Sequence, residues 1–143
     1  MPKSTTFSND IVALIFNATA IANLADNAGA SPATNLYLSL HTADPGIGGS
    51  QTTNETAYTN YVRVAVARSG VGWTVAAAAA QNAALIQFAA CGASGATITH
   101  IAIGTASSGA GKVLYAGALS SPRAISDGIQ PQFSAGSLTA TES

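Results

Sequence analysis

His41-Thr42-Ala43-Asp44 sets an imidazole three residues from a carboxylate, a spacing that would suit two metal ligands or a general base with its orienting partner. A metal needs three or four donors, and the other histidine, His100, has no carboxylate near it in sequence. The turn chemistry gives a plainer expectation: Asp44 caps the Pro45-Gly46 turn through its own backbone, and His41 sits half exposed at the end of a strand. Gly109-Ala110-Gly111-Lys112 has the glycines and lysine of a phosphate-binding loop. The first glycine of that motif would fall at Ala106, however, and its magnesium-binding hydroxyl at Val113. A strand, not a helix, is expected after Lys112, so the segment reads as a hairpin turn. No Gly-x-Ser-x-Gly elbow is present. The single cysteine, Cys91, lies among Ala89, Ala90, Gly92 and Ala93 with no charge to activate it, which predicts a buried structural thiol. The carboxylates Asp10, Asp26, Asp44, Glu55, Asp127 and Glu142 fall mostly at helix ends and turns, not in a pair suited to glycoside hydrolysis. The inventory predicts no enzyme, no metal and no cofactor.

Binding is the remaining chemistry. Tyr37, Tyr58, Tyr61, Trp73 and Tyr115 could form a stacking platform for sugar; the favoured expectation is that Trp73 and Phe88 fill the core while the tyrosines lie at sheet edges with wet hydroxyls. Arg63 and Arg68, five apart on one expected strand, face opposite sides of a sheet, and one of them is a candidate inter-subunit anchor. With Arg123, Tyr58 and Tyr61 they make up the candidate interface residues. The five basic residues are scattered and the net charge is -1, which argues against a nucleic-acid partner.

These residues must be positioned by a chain with few charges. Only 8% of its 143 residues are charged, against about 25% in ordinary soluble domains, while 48% are hydrophobic. Much of the surface is therefore Ser, Thr, Asn, Gly and Ala, a composition suited to packing against other protein. The apolar stretches are interrupted by Asn17, Asn23, Gln81, Asn82 and Gln87, and none approaches the roughly 20 residues of a membrane span. The N-terminus shows no signal-peptide pattern, so no export by a cleaved signal is expected. The length fits one domain, with an N-terminal arm and helix in residues 1–30 and a β-sandwich in 35–142.

One helix is expected from Ser8 to Ala28, with Ser8 as N-cap, Asp10 in the first turn, Phe7 and Val12 as a hydrophobic staple and Gly29 as stop. The period then changes to two. In Leu36–His41 the leucines share one face while Tyr37, Ser39 and His41 share the other, which predicts a half-buried strand. Ile47–Thr56 is too polar for core and reads as a long loop. Tyr61–Arg68, with three valines inward, and Val71–Val75 follow as strands; Ala76–Ala80 reads as an extended linker or edge. Segments 84–89, 97–103, 112–119 and 132–140, with a short strand near 123–125, bring the count to about eight. The prediction is a mainly β protein: an antiparallel β-sandwich, jelly-roll-like, plus one N-terminal α-helix.

Asn35-Leu36-Tyr37-Leu38-Ser39-Leu40-His41-Thr42-Ala43-Asp44-Pro45-Gly46, then Tyr61 to Val75, then Ile101-Ala102-Ile103-Gly104-Thr105-Ala106 leading into Leu114-Tyr115-Ala116-Gly117-Ala118-Leu119, resemble a family of small structural proteins of tailed bacteriophages, often labelled tail fibre proteins. The resemblance runs from about Asn35 to Glu142 and carries no active site. It implies a virion structural protein. Compactness and the absence of a repeat favour a capsid cement or decoration protein. Such a protein would bind the major capsid protein on the outer head surface as a dimer or trimer, after assembly in the host cytoplasm, and stabilise the shell. The alternative is a tail fibre or a receptor- or glycan-binding tail module.

Overall fold

The computed structural model describes residues 4–21 and 33–142. The described residues form one helix, α1 (Thr5–Asn17), and nine strands: β1 (Asn35–His41), β2 (Val64–Ala67), β3 (Trp73–Ala76), β4 (Ala79–Asn82), β5 (Ile86–Gln87), β6 (Ala96–Gly104), β7 (Val113–Ile125), β8 (Gln132–Phe133) and β9 (Thr139–Thr141). The fold is thus mainly β with an N-terminal helix, as the alternating pattern predicts. The strands make a four-stranded sheet in the order β2-β1-β6-β7, a three-stranded sheet β3-β4-β9 and a two-stranded sheet β5-β8. The chain divides into two compact units, one from the described parts of Met1–Asn35, Ala67–Ile86 and Phe133–Ser143, the other from Leu36–Val66 and Gln87–Gln132.

In the first unit, α1 packs on β3 and β4. The helix is capped four residues before the expected position, at Ser4 rather than Ser8. Ser4 takes extended backbone angles and its Oγ accepts from the Phe7 amide at 3.2 Å, the same capping chemistry offered earlier in the chain. Ser8 is therefore inside the helix and buried, Asp10 lies beyond the first turn, and Phe7 is exposed and forms no staple. The helix ends at Ala18 in the left-handed region (φ 55°), and the expected continuation through Ala18–Ile21 is not helical. Arg68 explains the early stop. Its guanidinium donates to the carbonyls of Leu14 and Ile15, the latter at 2.6 Å, and to that of Ala33 at 3.3 Å, so a cation supplies partners to carbonyls a helix end leaves bare. The expected segment Ala22–Gly29 lies outside the described residues. Val12, Phe16, Trp73 and Ala80 are fully buried, with the Phe16 and Trp73 rings edge to face at 4.7 Å.

Ala76–Ala80 is neither linker nor helix but the turn of a hairpin. Trp73–Ala76 pairs with Ala79–Asn82, and Ala77 and Ala78 join them with φ of 50° and 58°. Positive φ at both central positions matches the right-handed twist of the flanking strands, although alanine pays for it sterically. Neighbours hold the turn: the Asn9 side chain accepts from the Ala78 amide at 3.2 Å, and the Ala78 carbonyl accepts from the Glu142 amide at 2.9 Å. Ala77 is exposed, so Ala77→Asn is expected to relieve strain without a clash, adding roughly 0.5–1 kcal/mol. A thermal melt would read this as a rise of roughly 2–4 °C; a fall would mean that the alanine methyl makes a contact worth more than the strain.

In the second unit, the four-stranded sheet buries Leu36, Leu38, Leu40, Val66, Ile98, Ala102 and Ile103. β1 and β6 run antiparallel with Leu38 against Ile103, Leu40 against Ile101 and His41 against His100. The expected strand Tyr61–Arg68 contracts to β2, with Val62 exposed rather than inward. The two strands expected at 112–119 and 123–125 are one, the 13-residue β7. β7 lies at the sheet edge, where Pro122 costs no ladder bond. The β6–β7 ladder is irregular twice, between the pairs Ile98–Arg123 and His100–Ala118 and between Ile103–Tyr115 and Gly104–Val113, and at both places β7 carries the extra residues.

Candidate functional site

The polar residues singled out by the sequence converge in the second unit, beside the C-terminal end of β1. His41 is fully buried, not half exposed. Its Nδ1 lies 2.9 Å from the Thr53 carbonyl and its Nε2 2.9 Å from Ser39 Oγ. A carbonyl only accepts, so Nδ1 carries the proton and Nε2 accepts from the Ser39 hydroxyl. Burial lowers the pKa of His41 below 6.5, partly offset by the Thr53 hydrogen bond and by the charge of Glu55. Serine, histidine and an orienting acceptor are the geometry of an activated nucleophile. Ser39 and His41 are each 0% exposed, however, and solvent reaches neither. The sequence placed both on one strand face but gave no sign that the polar loop would cover them.

A neutral His41 ties stability to pH. Below pH about 6.5 the unfolded chain takes up a proton that the folded chain refuses, so stability is expected to fall as pH drops from there through the folded pKa and to be flat above it. The slope from this group reaches at most about 1.4 kcal/mol per pH unit. Urea titrations at pH 7.5, 6.5 and 5.5 should show the decline in the native chain and a smaller one in His41→Gln; equal declines would exclude His41 as the cause.

Beside His41, Glu55 joins β1 through an isolated bridge to His41. Arg63 grips its carboxylate with both prongs, Nε to Oε1 at 2.6 Å and an Nη to Oε2 at 2.7 Å. Arg63 also donates to the carbonyls of Ala106 at 2.9 Å and Gly109 at 2.8 Å. Its side chain is 3% exposed and that of Glu55 15%. Tyr61 completes the group: its hydroxyl donates to Glu55 Oε1 at 2.9 Å and accepts from the Leu40 amide at 3.0 Å. Burial pushes the Tyr61 phenol well above its usual range and that of Tyr58 up to about 12.

Of the four tyrosines expected to keep wet hydroxyls, Tyr58 and Tyr61 instead hold theirs in internal hydrogen bonds. Tyr58, 3% exposed, donates to the Ala89 carbonyl at 2.9 Å. Its ring meets Tyr61 edge to face at 5.2 Å, and Tyr61 stacks on Phe88 at 6.3 Å. Trp73 is buried in the first unit, as expected of a core residue, so the five aromatics do not assemble into one sugar platform. Of the candidate interface residues, Tyr58, Tyr61 and Arg63 are committed to the second unit's interior network and Arg68 to the helix end. Arg123 stands exposed on β7.

The loop that covers His41 is not all surface. Gln51, expected in a loop too polar for core, is 0% exposed. Its Nε2 donates to the Tyr37 carbonyl at 3.3 Å, its Oε1 accepts from the Ala106 amide at 2.9 Å, and its own amide donates to the Gly111 carbonyl at 2.8 Å. The Gly109–Lys112 segment is the β6–β7 connection that this glutamine pins, with strand following Lys112 as expected. Asp44 also does what its turn predicts, its Oδ1 accepting from the Gly46 amide at 2.8 Å. Cys91 is buried, its thiol against the carbonyls of Gly92 at 3.2 Å and Ser94 at 3.4 Å. Among the described residues, no three of His, Cys, Asp and Glu come together as a metal site.

Polar side chains spent on internal bonds and a long, charge-poor edge strand define an antiparallel β module whose outer surface is its chemically available part. Residues 2–141 match the family model described as Podophage GP4 fiber I protein gp80. The chain belongs to this family and is a structural protein of the tailed-phage virion. No curated protein matches it.

Proposed function

We propose that this chain is a packing module of a virion fibre, held to neighbouring copies and to other virion proteins by covered surface rather than by chemistry. The carrying observation is how its polar groups are used. Arg63, Glu55, His41 and Gln51 bond inside the second unit, whereas exposed β7 positions such as Ala116, Gly117, Ala118, Ser120 and Ser121 are small and uncharged. Covering such a surface costs little desolvation. The reading includes no catalysis, since the Ser39–His41 pair is sealed from substrate. The family description supports the fibre position.

A second reading is favoured by the 8% charge content: a cement protein that binds the major capsid protein on the outer head surface and stabilises the shell. A glycan-binding tail module is less supported, because Tyr58 and Trp73 are buried. Antibody labelling of intact virions viewed by electron microscopy separates these positions. Label confined to the tail or its appendages is expected. Label over the whole head, together with a higher disruption temperature of decorated capsids, would replace the fibre reading with the cement reading. Absence from the virion would overturn both.

A further inference from the structure

Asp127-Gly128 is the one place in the sequence where Asp or Asn precedes glycine. At such a pair the glycine amide nitrogen can close on the side-chain carboxyl, because a residue without Cβ leaves that nitrogen open to approach. Both residues are exposed, in the turn that follows β7. The Ile129 amide donates to the Ser126 carbonyl at 2.9 Å, and Gly128 has φ of 79° while Asp127 stays out of the left-handed region. This is a type II turn with glycine at its third position, where an L side chain would be strained. Cys91 clamps the turn through its backbone: its carbonyl accepts from the Gly128 amide at 2.8 Å and its amide donates to the Ile129 carbonyl at 2.9 Å. At two other aspartates the same closure is blocked. Asp44 precedes a proline, which has no N–H, and Asp10 precedes the β-branched Ile11 inside α1.

We infer that Asp127 is a site of spontaneous isomerisation, locked while its turn is closed and released when the turn opens. The Gly128 nitrogen attacks the Asp127 Cγ and gives up its proton. The carboxyl hydroxyl leaves with that proton as water, and a five-membered succinimide remains. Water then adds to one of the two imide carbonyls. Opening at the main-chain carbonyl gives isoaspartate, with the backbone routed through Cβ; opening at Cγ restores aspartate. Water is the only co-reactant. Two features of the closed turn prevent the first step. The attacking amide is held by the Cys91 carbonyl. Ring closure also needs Cβ and the following nitrogen eclipsed about the Cα–C bond, whereas a type II turn holds them about 120° apart. The product carries an extra methylene in its main chain, so the turn and its bonds to Cys91 cannot re-form as before. Each opening that reacts is kept as a covalent record at the end of β7.

The test follows isoaspartate in the full chain, folded and unfolded. Trypsin cuts after Arg123, and in the resulting peptide 124–143 the sole Asp or Asn is Asp127. Chromatographic splitting of that peptide at constant mass therefore reads this site alone. Folded protein and protein in guanidinium chloride are incubated side by side at pH 6. The isomer is expected to build up at least about tenfold more slowly in the folded chain, since only the open fraction reacts. Asp127→Asn passes through the same ring with loss of ammonia. Its peptide is expected to gain the mass difference between an amide and an acid, again at least about tenfold faster when unfolded. Asp127→Glu would need a six-membered ring and should give a single peak in both states. Equal rates in the folded and unfolded chains would overturn the lock. A single peak for the native sequence in denaturant, with no mass gain in Asp127→Asn, would overturn the site, as would splitting of the Asp127→Glu peptide.

Discussion

Arg63→Met is expected to destabilise the protein by about 3–5 kcal/mol, the cost of leaving a largely buried carboxylate without its cation. Glu55 would keep the Tyr61 hydroxyl but lose both guanidinium bonds, and the carbonyls of Ala106 and Gly109 would lose their donor. Total stabilities run only about 5–15 kcal/mol, so the variant should melt roughly 10–20 °C lower. The direction of a companion change separates charge from shape. Arg63→Met with Glu55→Met removes both ions and is expected to recover part of the loss, because a buried pair earns little over apolar packing while a broken pair is costly. Arg63→Lys should fall between, since an ammonium cannot match the two-pronged grip. Thermal and urea denaturation of the four proteins would check the order; a drop of less than about 3 °C in Arg63→Met would mean that the ion pair does not hold the Glu55 segment.

This cluster shows where sequence reading stops. Opposite charges at Glu55 and Arg63 and the tyrosine between them are visible in the sequence. Their meeting is not, because it depends on how the loop folds back over β1. The period of two in Leu36–His41 correctly gave the strand and the shared face of Ser39 and His41. Whether that face meets water depends on Thr53, brought over it by a fold that alternation does not encode. Gln51 is the same case at longer range, with partners at Tyr37 and Ala106. Composition marked its segment as too polar for core, but a polar side chain can be buried once every donor and acceptor is matched.

The strand errors have equally local causes. Ser120-Ser121-Pro122 resembles a break, and would be one in a central strand; β7 runs through it because the edge needs no amide there. Alanine prefers helix, and nothing in five alanines announces that two will turn a hairpin at positive φ. Ser4 and Ser8 are equal as caps by residue type. What ends the helix early, Arg68, lies more than fifty residues along the chain. Asp44, Cys91 and Trp73 were legible because their roles follow from immediate neighbours or from bulk.

Gly104→Ala is expected to cost about 3–5 kcal/mol although it adds a single methyl, through overpacking and lost buried hydrogen bonds together. The added carbon would lie 2.2 Å from Gln51 Cδ and 2.5 Å from its Oε1, so the glutamine must leave its place. The Ala106 amide and the Tyr37 carbonyl then lose the partners that Gln51 gives them. Gly111 closes the other side, a carbon there falling 2.2 Å from the same Oε1. The two glycines therefore owe their places to the space the glutamine fills. A double-mutant cycle makes the claim quantitative. Gln51→Ala alone is destabilising, but it empties the space the new methyl needs, so Gly104→Ala should cost at least about 1–2 kcal/mol less in that background than in the native one. Gly48→Ala, in the same loop and with nothing within 4 Å of the new carbon, is expected to change stability by no more than about 0.5 kcal/mol. Urea denaturation of these variants would decide. Strict additivity of Gly104→Ala and Gln51→Ala would mean that the glycine is required for its backbone and not for the buried amide beside it.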